Sequence, residues 1–89
     1  MENTILKISN KSNPNAVAGA IVNMLNEHGK VELNAIGAGA VNQAVKAIAV
    51  ARGYIAPSGK NIVCVPGFTT MNIENADRTG MRFIVKEEI

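Results

Sequence analysis

The residues best suited to chemistry in this chain form the run Ala35-Ile36-Gly37-Ala38-Gly39-Ala40-Val41-Asn42-Gln43-Ala44-Val45-Lys46-Ala47. Gly37 and Gly39 allow positive φ and the close approach of a ligand or of another backbone. A helix that begins here offers unpaired amides at the positive end of its dipole, which suits an anion such as phosphate. The same small residues would also let a helix turn back tightly onto its own sheet. The run is not a dinucleotide fingerprint, because Asn42 stands at the third glycine position. Nor is it a Walker loop, since Lys46 falls within the helix and no Lys-Ser/Thr pair follows the glycines. Nucleotide hydrolysis is not expected.

Cations surround this run. Lys11 occupies a polar loop that leads into the first helix. If the first two strands lie parallel in one sheet, that loop and the glycine turn emerge on the same edge. One basic side chain then meets a cluster of free amides, an arrangement that suits phosphate oxygens. Arg78, Arg82 and Lys86 recur every fourth residue and share one face of a strand. Each of these charges would serve equally as part of a solvated surface. His28, the single histidine, sits at a helix C-terminus beside Gly29, where it serves the last carbonyls and the dipole. Cys64 lies within Val63-Cys64-Val65 and reads as a small core residue. With no second histidine, no His/Cys cluster and no paired carboxylates, neither a triad nor a metal site can be assembled. The expectation is a protein that is not an enzyme and that uses no cofactor, no metal and no small-molecule substrate.

Eighty-nine residues make one small domain, and an apolar fraction of 47% excludes a disordered chain. Aromatic residues are only 3% of the chain, which weighs against bases stacked on a platform of rings. The net charge of +2 is a mild bias, far from that of a histone-like protein. A lone cysteine excludes an internal disulfide and fits a reducing compartment. No signal peptide, lipidation motif or apolar stretch of spanning length is read, so a cytoplasmic protein without membrane contact is expected.

The elements that must position these residues follow from periodicity. Residues 4–9 alternate as a short strand, and Pro14 opens a helix over residues 15–28, capped by Asn13 or Ser12 and stopped by Gly29. Val17, Ile21, Met24 and Leu25 form its apolar face. Val31, Leu33 and Ala35 alternate with Lys30, Glu32 and Asn34, which predicts a second strand with one buried face and one wet face. A second helix over residues 40–52 ends at Gly53, with Val41, Ala44, Ile48 and Ala51 inward. Ala49 and Val50 flank Lys46 on its outer side, where a solvated helix would carry charge, and mark a contact surface. With strand edge exposed near Pro66-Gly67, this predicts a homodimer. Residues 61–65 form an apolar run that Pro66-Gly67 forces into a bulge or onto an edge. Pairing resumes over residues 68–74, Asn75-Ala76-Asp77-Arg78 connects, and residues 79–86 return. The order β-α-β-α-β-β predicts an α/β chain, more narrowly an α+β two-layer sandwich, with a mixed four-stranded sheet and both helices on one face.

Three stretches then carry a resemblance: Ser12-Asn13-Pro14-Asn15-Ala16-Val17-Ala18-Gly19-Ala20, the glycine run, and Ala51-Arg52-Gly53-Tyr54-Ile55-Ala56-Pro57-Ser58-Gly59. Together they closely resemble the bacterial stage V sporulation protein S family over essentially the whole chain. That family looks like a branch of the Alba group, small dimeric chromatin- and RNA-associated proteins with the same element order. The resemblance implies a nucleic-acid-binding sporulation or developmental regulator that holds DNA or RNA through backbone contacts with little sequence discrimination. It places Lys11 in the Alba loop before the first helix and Gly37, Ala38 and Gly39 at the turn into the second. Ala38 stands where Alba proteins carry a basic residue. Gln43-Ala44-Val45, with Lys46 next, replaces the Alba Lys-Ala-Val. Arg78 and Arg82 fall on the hairpin, residues 68–82, which looks shorter than the Alba hairpin that follows the minor groove. The missing charge at Ala38 and the absent stacking aromatics favour a rival reading, a protein-interaction module on the Alba fold. A small anionic ligand at the glycine turn is a third.

Overall fold

The computed structural model describes residues 4–88. Its elements are β1 (Ile5–Ile8), α1 (Pro14–His28), β2 (Lys30–Ala35), α2 (Ala38–Ile55), a 3₁₀ turn (Ala56–Ser58), β3 (Ile62–Ile73) and β4 (Ala76–Glu87). The sheet has the order β1-β2-β4-β3, with β1 parallel to β2 and both other pairings antiparallel. The expected mixed sheet and its element order are present.

α1 forms as its sequence dictates. Pro14 stands at the first position, and Asn13 rather than Ser12 is the cap, its Oδ1 accepting from the amides of Asn15 at 2.8 Å and Ala16 at 3.2 Å. Gly29 stops the helix in the left-handed conformation at φ 80°. Ile21 and Leu25 are buried as expected, joined by Ala18, while Val17 and Met24 pack half-buried against the core.

α2 departs from expectation at both ends and in its facing. It begins at Ala38 and continues through Gly53 to Ile55, because the apolar spacing persists. Ala40, Ala44, Ala47, Ala51 and Ile55 are all buried, at intervals of three and four residues. Val41 and Ile48 are only half-buried. A stripe of alanines lets the helix axis lie close to its neighbours, and α1 and α2 pack against each other along their lengths.

The strands β3 and β4 also differ from their predicted form. The connection is two residues, Glu74 and Asn75, at φ 52° and 64°, the primed hairpin geometry. Residues 76–78 therefore belong to β4 rather than to the turn. Pairing is continuous from Ile62↔Glu87 to Ile73↔Ala76, with Pro66 opposite Phe83. Pro66 is accommodated without a bulge because β3 is the sheet edge, where a missing donor breaks no ladder. β2 pairs with β4 only as far as Ala35↔Met81, so residues 69–80 leave the sheet as a two-stranded arm. The overall extents of 44 × 26 × 19 Å reflect that projection.

Candidate functional site

Three features meet at one end of the sheet. β1 ends at Ile8, β2 at Ala35, and the arm departs at Met81, and these three residues lie in one register row. The β1–α1 loop, the glycine turn and the arm therefore all emerge beyond the carboxyl ends of the parallel strands. Lys30, opposite Lys86, lies at the other end, as the sequence predicts.

The β1–α1 loop is ordered by its own serines. Ser12 Oγ accepts from the Ser9 amide at 2.9 Å, the Ser12 amide donates to the Ser9 carbonyl at 3.1 Å, and the Lys11 amide donates to Ser9 Oγ at 3.2 Å. Lys11 is exposed at the tip of this turn. Gln43 Nε2 donates to the Ser12 carbonyl at 2.8 Å and straps the loop to α2. A Cβ on Gly39 would stand 3.0 Å from Asn10 Cβ, so Gly39 is the close-approach glycine that lets loop and helix meet. The amide of Gln43, a candidate phosphate contact, is thus engaged in positioning the loop.

Gly37 is the N-cap of α2 at φ 91° and ψ 156°, a region essentially restricted to glycine. No side chain caps this helix and its first turn holds no acidic residue. The ladder begins with the Val41 amide on the Gly37 carbonyl at 3.0 Å. The amides of Ala38, Gly39 and Ala40 precede that bond and have no intrahelical acceptor. Ala38 contributes an exposed amide and no charge.

The remaining candidates disperse. Lys46 is exposed, nine residues beyond Gly37, hence about 13 Å along the helix axis. Arg78 lies on the arm opposite Met71. Arg82 does not: it belongs to the sheet, half-buried, in the row Lys7–Asn34–Arg82–Gly67 on the face away from the helices. Its guanidinium lies across Gly67, where an added Cβ would meet Nη2 at 3.4 Å.

That row exposes what sequence reasoning missed. Asn34, expected on a wet face, is 9% exposed, and its Oδ1 accepts no hydrogen bond from any described residue. Gly80, at the root of the arm, is a close-approach glycine. An added Cβ would stand 2.7 Å from the Ala35 carbonyl oxygen, 2.8 Å from Ile36 Cγ1 and 3.3 Å from Met71 Cε. A cleft of about 490 Å³ lies at this end of the sheet, with Asn34, Lys7, Ser9, Gly37, Ile36 and Met71 in its lining. The signals were present but faint: Lys7 alternates with Ile8, and Asn34 interrupts β2 two residues before the turn.

Other residues weighed for chemistry lie elsewhere. Burial raises the Cys64 thiol above its ordinary value, so it is held as the thiol rather than the nucleophilic thiolate. His28 Nε2 is 3.5 Å from Glu27 Oε2 in the last turn of α1. Among the described residues, no group of three or more His, Cys, Asp or Glu is placed to hold a metal ion. No helix of the described residues is long and apolar enough to cross a membrane.

Comparison with known proteins agrees with this geometry. A solved structure, Alba from Thermoplasma volcanium, superposes with a TM-score of 0.61 at 16% identity, covering 96% of this chain and 99% of that one, a likeness of fold. The family model for Stage V sporulation protein S matches residues 4–88. With the match spanning nearly its whole length, the chain belongs to the stage V sporulation protein S family, built on an Alba-like fold.

Proposed function

We propose that this protein is a non-enzymatic, Alba-like nucleic-acid-binding regulator of sporulation or development, acting in the cytoplasm as a homodimer. The carrying observation is the shared end: the Lys11 turn, the uncapped α2 N-terminus and the arm bearing Arg78 all lie beyond the carboxyl ends of β1 and β2. Cations and oriented amides there suit phosphate oxygens, which fix register without reading bases. At the opposite end two cations are engaged internally, while Lys30 and Lys86 are exposed. Lys60 stands 3.5 Å from Glu87, and Arg52 Nε donates to Asn61 Oδ1 at 2.8 Å, while Asn61 donates to Glu88.

The dimer reading rests on an apolar groove between α2 and β3, lined by Val45, Ile48, Ala49, Cys64, Pro66 and Phe83. Val45 is 50% exposed there, whereas Val50, expected at the interface, packs against the core. The same groove, and separately Phe68 at 76% exposed, add to what favours the rival reading of a protein-interaction module.

A titration with duplex DNA, single-stranded DNA and RNA at two salt concentrations decides between them. A phosphate-contacting protein weakens steeply with salt, and Lys11→Ala flattens the slope of log K against log salt by about 0.9 on duplex DNA. Lys30→Glu, at the far end, leaves the slope unchanged. Absence of saturable binding to all three ligands overturns the nucleic-acid reading and is the outcome an interaction module gives. Sedimentation equilibrium of Val45→Glu against the parent tests the groove: a dimer that becomes a monomer supports it, and an unchanged dimer places the interface elsewhere.

A further inference from the structure

The helices cover one face of the sheet and leave the other bare. Val31, Leu33, Phe83 and Val85 belong to the core on the helix side, so the residues alternating with them point away from it. Three successive rows of that open face follow from the pairing. The middle row is Ile5–Glu32–Ile84–Val65, the row toward the arm is Lys7–Asn34–Arg82–Gly67, and the row on the other side holds Lys30, Lys86 and Val63. Ile5 and Val65 are exposed and Ile84 and Val63 half-buried, so an apolar band crosses the strands. Beside Ile5, Ile84 and Lys30 it dips into a hollow of about 130 Å³, room for one aliphatic side chain. Cations flank the band, Lys7 and Arg82 along one side and Lys30 and Lys86 along the other. None of the four forms an ion pair with a described residue. Lys30 and Lys86 stand directly opposite each other, a like-charge pair that weakens an antiparallel ladder until an anion lies over it. Glu32 is the one carboxylate among the described residues of these rows.

Spacing and charge together select the occupant. The two cation rows are four residues apart, about 13 Å at the rise of a strand, and a helix with its side chains is about 10–12 Å across. The band spans four strands, hence roughly 14 Å, the length of about ten helical residues. We propose that the open face of the sheet docks an acidic amphipathic helix of a partner protein, laid across the strands. Its apolar stripe rests on Ile5, Ile84 and Val65, its carboxylates meet the cation rows on either side, and one donor within the stripe meets Glu32. The same face of a second copy would set cations against cations. A nucleic-acid strand would satisfy the cations but not the band, since no aromatic residue stands on these rows to stack a base. The surface lies on the face opposite the groove between α2 and β3 and apart from the Lys11 turn, so it stands independently of duplex binding.

The test is an amide-resolved NMR titration of the intact protein with a synthetic helix of about fourteen residues. The peptide carries leucines at i, i+3 and i+7 spacing, one glutamine within that stripe, and glutamates along both flanks. One control replaces its glutamates by lysines, a second scrambles its order, and a single-stranded oligonucleotide is titrated alongside. The acidic helix is expected to saturate shifts at Glu32, Ile84 and Val65 and to leave Val45 and Ile48 unmoved. Lys30→Gln with Lys86→Gln, which removes a like-charge pair and so keeps or raises the melting temperature, should weaken that binding about tenfold. Val65→Thr, at an exposed position and nearly isosteric, should weaken it about threefold. A lysine-bearing or scrambled helix that binds as tightly overturns the proposal in favour of unspecific apolar adhesion. No saturable shift with the acidic helix up to about 1 mM, or binding unchanged by Lys30→Gln with Lys86→Gln, overturns it outright. An oligonucleotide that saturates the same shifts more tightly than the helix assigns the face to nucleic acid and overturns it too. A loss of duplex affinity in Lys11→Ala with helix binding intact supports it as a surface distinct from the phosphate interface.

Discussion

The braced loop edge and the projecting arm stand side by side beyond the same strand ends, yet they are held by different forces. At the loop edge, residues distant in sequence lock one another: Gln43 straps Ser12, Gly39 admits Asn10, and Gly80 admits Ile36 and Met71. The arm is held by local means. Its two strands pair only with each other beyond Met81, its turn is two residues at positive φ, and Asn72 Nδ2 donates to Asp77 Oδ1 at 3.2 Å across the ladder. Its residues are mostly exposed. A rigid platform and a compliant reach are thus built at one end, the first suited to fixing a ligand and the second to following one.

The sharpest break in this comparison is Gly80→Val, because it strikes where the arm leaves the platform. The new side chain meets the Ala35 carbonyl and Ile36, and overpacking at a buried backbone contact should cost about 3 kcal/mol. For a chain of this size that lowers Tm by roughly 12–24 °C in a thermal melt. A melt like the parent's would mean the platform is not braced there.

Gly39→Val comes next. It presses only on Asn10 in an exposed loop, so a loss of roughly 1–2 kcal/mol is expected by denaturant titration. If it costs more than Gly80→Val, the bracing is centred on the loop rather than on the arm's root.

The arm's turn should respond in the opposite direction. Glu74→Asn with Asn75→Gly supplies residues that accept positive φ and should steady the hairpin by up to about 1 kcal/mol. Hydrogen exchange should show that gain in residues 69–80, with little change in the global melt. A rise in Tm of several degrees would make the arm part of the cooperative core.

The smallest effect concerns Cys64, on the part of β3 that lies within the sheet. Burial raises its thiol above the ordinary value of 9.0, so folding favours the protonated form. Its contribution to stability is complete below the unfolded value and fades as pH rises through the folded one. Alkylation at pH 8 should therefore be slower in the folded protein than in denaturant, and stability should slip only above about pH 9. Equal alkylation rates would place Cys64 in solvent, like the arm.

Local chemistry was legible in the residues themselves. Asn13-Pro14 and Gly29 set the limits of α1, the alternation of Val31, Leu33 and Ala35 located a buried strand face, and Pro66 required a bulge or an edge, of which the sheet order selected the edge. Each depends on a backbone preference or a periodicity that neighbours in sequence express by themselves. The element order, and hence the sheet with both loops on one edge, followed from the same signals. What escaped depended on partners far away in the chain. Gly53 reads as a helix stop, but Ile55 found a buried seat and carried α2 past it. Asn34 reads as solvated, but pairing between Lys7 of β1 and Arg82 of β4, forty-eight residues later, leaves it 9% exposed. Arg82 reads as part of the arm, but its pairing with Asn34 and Gly67 keeps it in the sheet. Burial and vacancy of a hydrogen-bonding atom are properties of the space around it, and that space is enclosed only when the chain folds.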